Sequence, residues 1–188
     1  MRTILLCCLL TLAVGAEKIP ELATVPYVDL ERYSGLWYEI ARLPNSFETN
    51  CVQSMAEYGM DDSGQLNVLN TCTKANGYRR SAKGIIRVEN APENSRLKVN
   101  FVPKWLRWAG IGWGNYWIID LDKDYQYAVV SEPEREYLWI LSRTPYMQKS
   151  TYDSLIKKLE GLHFNLSHLI VSNVQNSKPP ALIASPSQ

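Results

Sequence analysis

The stretch Asp29–Pro44, which reads DLERYSGLWYEIARLP, determines how the rest of the chain can be arranged. The pair Ser34-Gly35 is typical of a turn, and Leu36–Ala41 is an aromatic and aliphatic run without helical periodicity. The pattern predicts a first strand that begins at a glycine. Trp37 follows closely, where a large side chain could plug one end of a closed sheet. The alternative is an ordinary core tryptophan, and the later segments bear on that choice.

Seven more segments show the alternation or composition of strands, and turn signals separate them. They are Cys51–Met60, Leu66–Cys72, Ala82–Val88, Leu97–Val102, Tyr116–Asp120, Tyr125–Ser131 and Tyr137–Arg143. Because most connections are short and no long helical pattern intervenes, we predict an all-β fold, an eight-stranded antiparallel up-and-down β-barrel. Closure of the barrel would remove exposed sheet edges.

A C-terminal helix is predicted from Gln148 to Glu160, packed on the outside of the barrel. Its apolar residues recur at helical spacing: Tyr152, Leu155, Ile156 and Leu159. Ser150 or Thr151 lies near its start, and Gly161 can serve as the C-terminal cap. A ninth short strand is predicted at Leu169–Val174.

The first 16 residues have the features of a signal peptide. Arg2 supplies the positive charge, Ile4–Val14 the apolar run, and Val14-Gly15-Ala16 a cleavage site, so we predict an exported protein. Residues 17–27 are then an N-terminal extension, 28–175 the folded domain, and 176–188 a disordered tail rich in Pro and Ser.

The four cysteines fall into two pairs. Cys7 and Cys8 lie within the apolar run without the preceding small residue that lipidation requires, which favours a soluble exported protein over a lipid-anchored one. Cys51 and Cys72 would remain after cleavage, and we expect them to form a disulfide in an oxidising compartment. The alternatives are a metal site, which would need histidines nearer in sequence, and a catalytic cysteine, which has no evident base.

Composition excludes several classes of protein. The chain has 188 residues, a 46% hydrophobic share and a net charge of +1, so one domain with a real core is expected and nucleic-acid binding is not. The sequence contains no P-loop, dinucleotide fingerprint, nucleophile elbow or zinc signature. We therefore predict neither a cofactor nor a metal.

Three short motifs appear in order along the chain. They are Gly35 and Trp37 in the first strand, Asp120, Asp122 and Tyr125 between the sixth and seventh, and Arg143 closing the eighth. Together they resemble the three motifs of the lipocalins. The stretches NSFETNCVQSMAEY and YLWILSRTP resemble the group containing the bacterial outer-membrane lipocalin and apolipoprotein D. The resemblance implies that Arg143 lies across Trp37 at a closed barrel end, a cation–π contact, and that the open end holds a hydrophobic molecule.

Period-two alternation, fixed on each strand by one reference residue, predicts which side chains face the cavity. We assign ligand contacts to Trp139, Tyr116, Ile118, Phe101, Val99, Ile86, Val130, Tyr137 and Glu39. Trp139 matches a pocket tryptophan of the group that this chain resembles. The alternative is that these side chains fill a solid core. Glu39 would orient a ligand headgroup or simply hydrogen bond to a nearby tyrosine.

The connection Pro103–Gly114, PKWLRWAGIGWG, should lie at the open mouth. Trp105, Leu106 and Trp108 are interleaved with cations, which suits the headgroup region of a membrane, and Trp113 is expected to contact bound ligand. The alternative is a lid folded back into the cavity.

The sequence thus favours an exported carrier of a small hydrophobic ligand, a fatty acid or lysophospholipid, that acts in membrane maintenance. The alternative is a lipocalin-type enzyme, an isomerase or de-epoxidase. Such an enzyme would need a positioned acid, base or thiolate in the cavity. Export would place the protein in the periplasm or at the outer-membrane periphery of a Gram-negative cell, or otherwise in the secreted fraction. A homodimer is left open.

Overall fold

The computed structural model describes residues 19–172 and 174–175, apart from the side chain of Arg107. The signal peptide predicted at residues 1–16 and the tail predicted at 176–188 lie outside the described residues.

Eight antiparallel strands close into a barrel, which confirms the predicted fold class. The strands are β1 (Gly35–Arg42), β2 (Cys51–Met60), β3 (Leu66–Lys74), β4 (Arg79–Val88), β5 (Arg96–Asn100), β6 (Trp113–Leu121), β7 (Tyr127–Ser131) and β8 (Leu138–Ser142). Each strand pairs with the next, and β1 also pairs with β8, so hydrogen bonding runs around the whole barrel.

Three strands begin two or three residues away from the predicted position, and one of them is β4, which begins at Arg79 rather than Ala82. Strand β7 begins at Tyr127 because Tyr125 adopts a positive φ of 60° in the preceding turn, where its N–H donates to the carbonyl of Asp122. Strand β6 begins three residues earlier than predicted, since Trp113 already pairs with Asn100 of β5.

A one-turn helix that the sequence pattern did not predict, α1 (Leu30–Tyr33), precedes β1. Asp29 caps it, because its carboxylate accepts hydrogen bonds from the N–H groups of Glu31 and Arg32. The cap turns the chain sharply into β1, and Tyr33 is buried at this end of the barrel.

The predicted C-terminal helix is present as α2 (Lys149–Gly161). Leu155 and Leu159 are buried on the outer face of the barrel. Ser150 and Thr151 lie in the first turn, and Gln148 occupies the N-cap without a side-chain bond. The predicted C-terminal cap is wrong, because Leu162 rather than Gly161 is the C-cap. His163 rather than Gly161 takes the positive φ beyond the helix.

The predicted ninth strand is divided into two short pieces. Strand β10 (Ile170–Val171) pairs antiparallel with Arg42 and Ala41 of β1, and β11 (Val174–Gln175) runs parallel to β9 (Met147–Gln148). No helix in the described part of the chain has the length and apolar character needed to cross a membrane.

Two apolar cores result from this arrangement. One fills part of the barrel interior and the other lies between the barrel and α2. Ile40 and Leu138 belong to the outer core, whereas Trp37 and Leu141 belong to the inner core. Helix α2 contributes side chains to the outer core but none to the barrel interior. The functional site is therefore sought inside the barrel or at its rim.

Candidate functional site

A guanidinium stacked on an indole closes one end of the barrel. The Arg143 guanidinium carbon lies 3.8 Å from the centroid of the fully buried Trp37 ring. Arg143 also donates to four backbone carbonyls, those of Leu36 (3.0 Å), Arg32 (2.6 Å), Tyr33 (3.2 Å) and Tyr125 (3.3 Å). Gly35 has a φ of +94°, and a Cβ there would lie 3.4 Å from the Arg143 side chain. These contacts join the start of β1, the end of β8 and the turn before β7.

The middle motif fixes the same end of the barrel. One Asp122 carboxylate oxygen accepts from the N–H groups of Asp124 and Gln126 and shapes the turn before β7. The Tyr125 hydroxyl accepts from the N–H of Asp29, which holds α1 against that turn. Asp120 instead faces outward and forms an ion pair at 2.9 Å with Lys158 of α2. The six motif residues therefore hold α1 and α2 against the barrel and stabilise its closed end.

Three tyrosines form a hydrogen-bonded cluster above the closed end. The Tyr116 hydroxyl lies 2.7 Å from both the Tyr33 and the Tyr58 hydroxyls. Burial raises the pKa of each tyrosine well above its ordinary value. All three hydroxyls are consequently neutral at physiological pH, and each is satisfied by a neighbour.

Most residues predicted to line the cavity face the interior. Ile86, Tyr116, Ile118, Val130 and, partly buried, Val99 and Trp139 belong to the inner core. Phe101 continues the inward row of Val99 and its ring lies against Gly84, where a Cβ would come within 2.8 Å of it. Tyr137 stacks on Trp139, with ring centroids 6.0 Å apart.

The interior is not filled to the mouth. Asn70 pairs with Ala56 and Ala82, so all three side chains point inward in the alternation that Val68 shares. Asn70 and Ala82 are exposed to solvent, and Ala82 lies beyond Ile85, where the pairing of β4 with β5 ends. The closed half of the interior is packed, whereas the inward-facing Asn70 and Phe101 nearer the mouth are exposed.

Trp113 requires a correction, because it does not face the cavity. Tyr116 and Ile118 point inward, so Trp113 and Trp117 have the opposite orientation. The Arg87 guanidinium lies 4.8 Å from the centroid of the Trp113 ring on the outer surface, and Arg96 covers Trp117 in the same way. Trp113 is therefore placed as an outer-wall residue rather than a ligand contact.

A buried polar cluster lies on the inner wall near the open end. Glu39 accepts a hydrogen bond of 2.6 Å from Arg42, and both side chains are almost completely buried. Glu48, from the loop before β2, lies 3.8 Å from the Arg42 Nε and accepts a hydrogen bond of 2.9 Å from the indole of Trp139. Glu39 thus bonds to Arg42 rather than to a tyrosine.

Sequence alternation missed Arg42 for a specific reason. The pairing of β1 with β8 shifts between Glu39 and Ala41, where one extra residue is accommodated. Ile40 and Ala41 therefore both face the outer core, and Arg42 faces inward opposite Trp139. One signal in the sequence could have indicated this contact: Arg42 follows the inward-facing Glu39 by three residues.

The two carboxyl groups of this cluster titrate differently. Burial, followed by the charge of Glu48, raises the pKa of Glu39 to about 8, although Arg42 opposes the shift. Burial acts in the same direction on Glu48, but hydrogen bonds from Glu39, Trp139 and Asn45 hold the Glu48 pKa below its ordinary value. The shared proton therefore resides on Glu39 at neutral pH, and the group of three ionisable side chains is close to neutral overall.

The mouth loop is rich in exposed aromatic surface. Lys104–Ala109 forms a 3₁₀ helix on which Trp105 is 72% and Trp108 is 85% exposed, while Leu106 is half-buried. Phe47 in the β1–β2 loop and Tyr78 in the β3–β4 loop, at the same end of the barrel, are also exposed. Because both indoles are largely exposed, they are not packed into the interior as the lid considered as the alternative would be.

The fold and the site together define a closed antiparallel barrel with a sealed end, an open mouth and a largely apolar interior. The family model described as a lipocalin-like domain matches residues 28–174. The chain belongs to the lipocalin family.

Several relatives match most of the chain. It is 37% identical over 163 residues to temperature-induced lipocalin-1 of Arabidopsis thaliana, which covers 85% of this chain and 86% of the relative. It is 36% identical to the outer membrane lipoprotein Blc of Escherichia coli, over 76% of this chain and 77% of the relative. Mouse apolipoprotein D is 32% identical over 71% of this chain and 70% of its own.

A solved structure supports the fold. Insecticyanin from the tobacco hornworm Manduca sexta superposes with a TM-score of 0.64 at 20% identity, covering 85% of this chain and 87% of that one.

The disulfide predicted between Cys51 and Cys72 is present, with the Cα atoms 5.4 Å apart, which confirms that prediction.

Proposed function

We propose that this protein binds a single-chain hydrophobic ligand, a fatty acid or lysophospholipid, in the open half of the barrel and stores or transports it in membrane maintenance. The observation that carries the proposal is the exposure of the inward-facing Asn70 and Phe101 above a packed floor. Apolar walls next to that space would contribute about 0.8 kcal/mol of binding free energy for each buried CH₂ group. Relatives named as an outer membrane lipoprotein and as an apolipoprotein support a lipid ligand.

Two further features belong to the same proposal. The signal-like N-terminus supports a location outside the cytoplasm, at the outer-membrane periphery of a Gram-negative cell or among secreted proteins. Trp105 and Trp108 at the mouth would contact the membrane surface from which the ligand is taken. A homodimer is compatible with this scheme and is not required by it.

The enzyme alternative rests on Glu39, whose pKa of about 8 suits a general acid or base. Three observations favour a carrier instead. The Glu39 side chain is only 3% exposed, it is hydrogen bonded to Arg42, and Cys51 and Cys72 are held in the disulfide. An isomerase or de-epoxidase would need an acid, base or thiol that reaches its substrate.

Blocking the accessible space tests the carrier proposal. We expect Ala82→Trp, which adds an indole on the inner wall, to reduce binding of a fluorescent fatty acid at least tenfold without unfolding the barrel. Lys83→Trp is the matched control, since Lys83 is the next residue on β4 and faces outward. Equal binding by wild type and Ala82→Trp would contradict a ligand site in the lumen.

A further inference from the structure

The segment after α2 carries an acceptor sequence for N-linked glycosylation. Asn165-Leu166-Ser167 has the required pattern, in which asparagine is followed by any residue except proline and then by serine or threonine. No other asparagine in the sequence has serine or threonine two positions later. A match of three residues also arises by chance, so the structure around Asn165 decides whether this residue can carry a sugar.

The side-chain amide of Asn165 is free to react. Asn165 and Ser167 are both exposed and lie in the connection between α2 and β10. The Asn165 Oδ1 accepts hydrogen bonds from the N–H (3.2 Å) and the hydroxyl (2.7 Å) of Ser167. Within the described part of the chain, no group accepts a hydrogen bond from the Asn165 Nδ2. The nitrogen that would bond to a sugar is therefore unengaged on an exposed residue.

The packing of neighbouring residues holds Asn165 on the solvent side. Phe164 is buried in the outer core, and Leu166 packs against that core while partly buried. Asn165 and Ser167 alternate with these two apolar residues and face water instead. A bulky group on Asn165 would consequently displace no core side chain, and it would lie outside the barrel, away from the lumen.

An open groove of about 570 Å³ lies beside the acceptor, and Asn165 forms part of its wall. It is also lined by partly buried apolar side chains and by two exposed carboxylates: Tyr152, Ile156, Leu166, Leu169, Asp153 and Glu160. A sugar ring has C–H groups on its faces and hydroxyl groups around its edge. It can therefore pack on the apolar side chains and donate hydrogen bonds to the carboxylates.

We propose that Asn165 accepts an N-linked oligosaccharide when the chain is secreted by a eukaryotic cell, and that the first sugars cover the groove beside α2. In the transfer, the Asn165 Nδ2 bonds to C1 of the N-acetylglucosamine of a lipid-diphosphate-linked oligosaccharide. The bond from C1 to the diphosphate breaks, the diphosphate leaves with the bonding electrons, and the amide nitrogen loses one proton to a base of the transferase. The disulfide between Cys51 and Cys72 fits the oxidising compartment in which this transfer occurs.

The first test is the mass of the protein made by cultured insect cells. The full chain is expressed with an established secretion signal added before Met1 and is recovered from both the medium and the cells. We expect wild type and Ser167→Thr to carry one oligosaccharide, which peptide N-glycosidase removes, and Asn165→Gln and Ser167→Ala to carry none. A wild type without sugar, or an Asn165→Gln variant that still carries one, would overturn the acceptor assignment.

The second test measures whether the sugar covers the groove, by hydroxyl-radical oxidation of Tyr152 read from the mass of its peptide. A sugar packed on the phenol shields one of its two faces, so Tyr152 should be oxidised about twofold more slowly in glycosylated wild type than in unglycosylated Ser167→Ala. Tyr27 is the matched control, because it is 58% exposed and does not line the groove, and it should react equally in both proteins. Equal oxidation of Tyr152 would refute the covered groove and leave the acceptor assignment in place.

Discussion

At the scale of single residues, Arg143 does more than stack on Trp37. Its guanidinium donates to four backbone carbonyls in α1, at the start of β1 and in the turn before β7. Replacing it would remove a cation–π contact and these four hydrogen bonds, although the Tyr33 carbonyl would still accept from the Trp37 indole at 2.8 Å. The second effect is the larger one where the carbonyls are buried, because desolvated acceptors are costly.

We predict that Arg143→Met lowers the free energy of unfolding by about 3 kcal/mol, the sum of a cation–π contact and unsatisfied acceptors. Chemical denaturation gives the value. Arg96→Met is the matched control, since Arg96 covers Trp117 at 4.4 Å on the solvent side, and should cost less than about 1 kcal/mol. If both variants lost the same free energy of unfolding, the contacts of Arg143 with Trp37 and the backbone carbonyls would have no special energetic role.

Glu39 gives the protein a characteristic pH dependence. Its folded-state pKa of about 8 lies above that of an unfolded glutamate, so the folded state binds the extra proton between these values. The contribution of Glu39 to the free energy of unfolding is therefore fully present at acid pH and is lost as the pH rises toward 8. Glu48, whose pKa is lowered, acts in the opposite sense and only below the ordinary glutamate pKa. Arg42 and Tyr58 are the other ionisable groups coupled to this pair.

We predict that Glu39→Gln removes a decline in stability between pH 5 and pH 8. One proton changes the free energy of unfolding by at most about 1.4 kcal/mol per pH unit, which is the largest slope difference expected between wild type and variant. Urea denaturation at several pH values measures it. Glu57→Gln, an exposed and outward-facing neutralisation on β2, should leave the slope unchanged. Parallel profiles for wild type and Glu39→Gln would contradict the assignment of the proton.

At the scale of elements, alternation predicted the strands well and the irregularities poorly. The inward rows of Ile86, Ile118 and Val130 follow directly from period two, because these strands are regular where the residues lie. Arg42 escaped prediction because a shift in one strand pairing reverses the orientation of all later side chains. Trp113 was misplaced because it was treated as a loop residue, whereas it already belongs to β6.

Glu48 could not have been found from period two at all. It lies in the loop between β1 and β2, and it reaches the interior only because that loop folds back to Trp139 and Arg42. Loop conformation depends on such tertiary contacts rather than on local pattern. The motif residues were predictable because they resemble the three lipocalin motifs in the right order, which is a match of residues and spacing rather than of alternation.

The disulfide restrains this loop as well as the barrel. Cys51 follows the loop directly and bonds to Cys72 on β3, 21 residues away. We predict that the double variant Cys51→Ala/Cys72→Ala loses about 3 kcal/mol of unfolding free energy, because the unfolded chain gains conformational freedom. Denaturation with and without reductant measures it. The variant should be insensitive to reductant; a wild type that loses no stability on full reduction would contradict the prediction.

At the scale of the whole molecule, the two ends of the barrel have opposite characters. The closed end is sealed by Arg143, Trp37 and the tyrosine cluster, all with satisfied polar groups. The open end combines the polar cluster inside with exposed indoles outside. Under the proposed function a ligand would enter from this end, so the mouth would face whatever supplies the ligand and the aromatic loop would meet it first.

The last prediction follows from this difference between the two ends of the barrel. We expect Trp105→Ser/Trp108→Ser to reduce binding to vesicles that contain anionic lipid, since both indoles are largely exposed and would otherwise enter the headgroup region. Leu36→Ser/Met60→Ser is the matched control, because these exposed apolar residues lie at the closed end. Cosedimentation should show a loss of at least fivefold for the tryptophan variant alone, about 1 kcal/mol or more. Unchanged binding of the tryptophan variant, or an equal loss in the control, would show that the mouth is not the membrane-facing end.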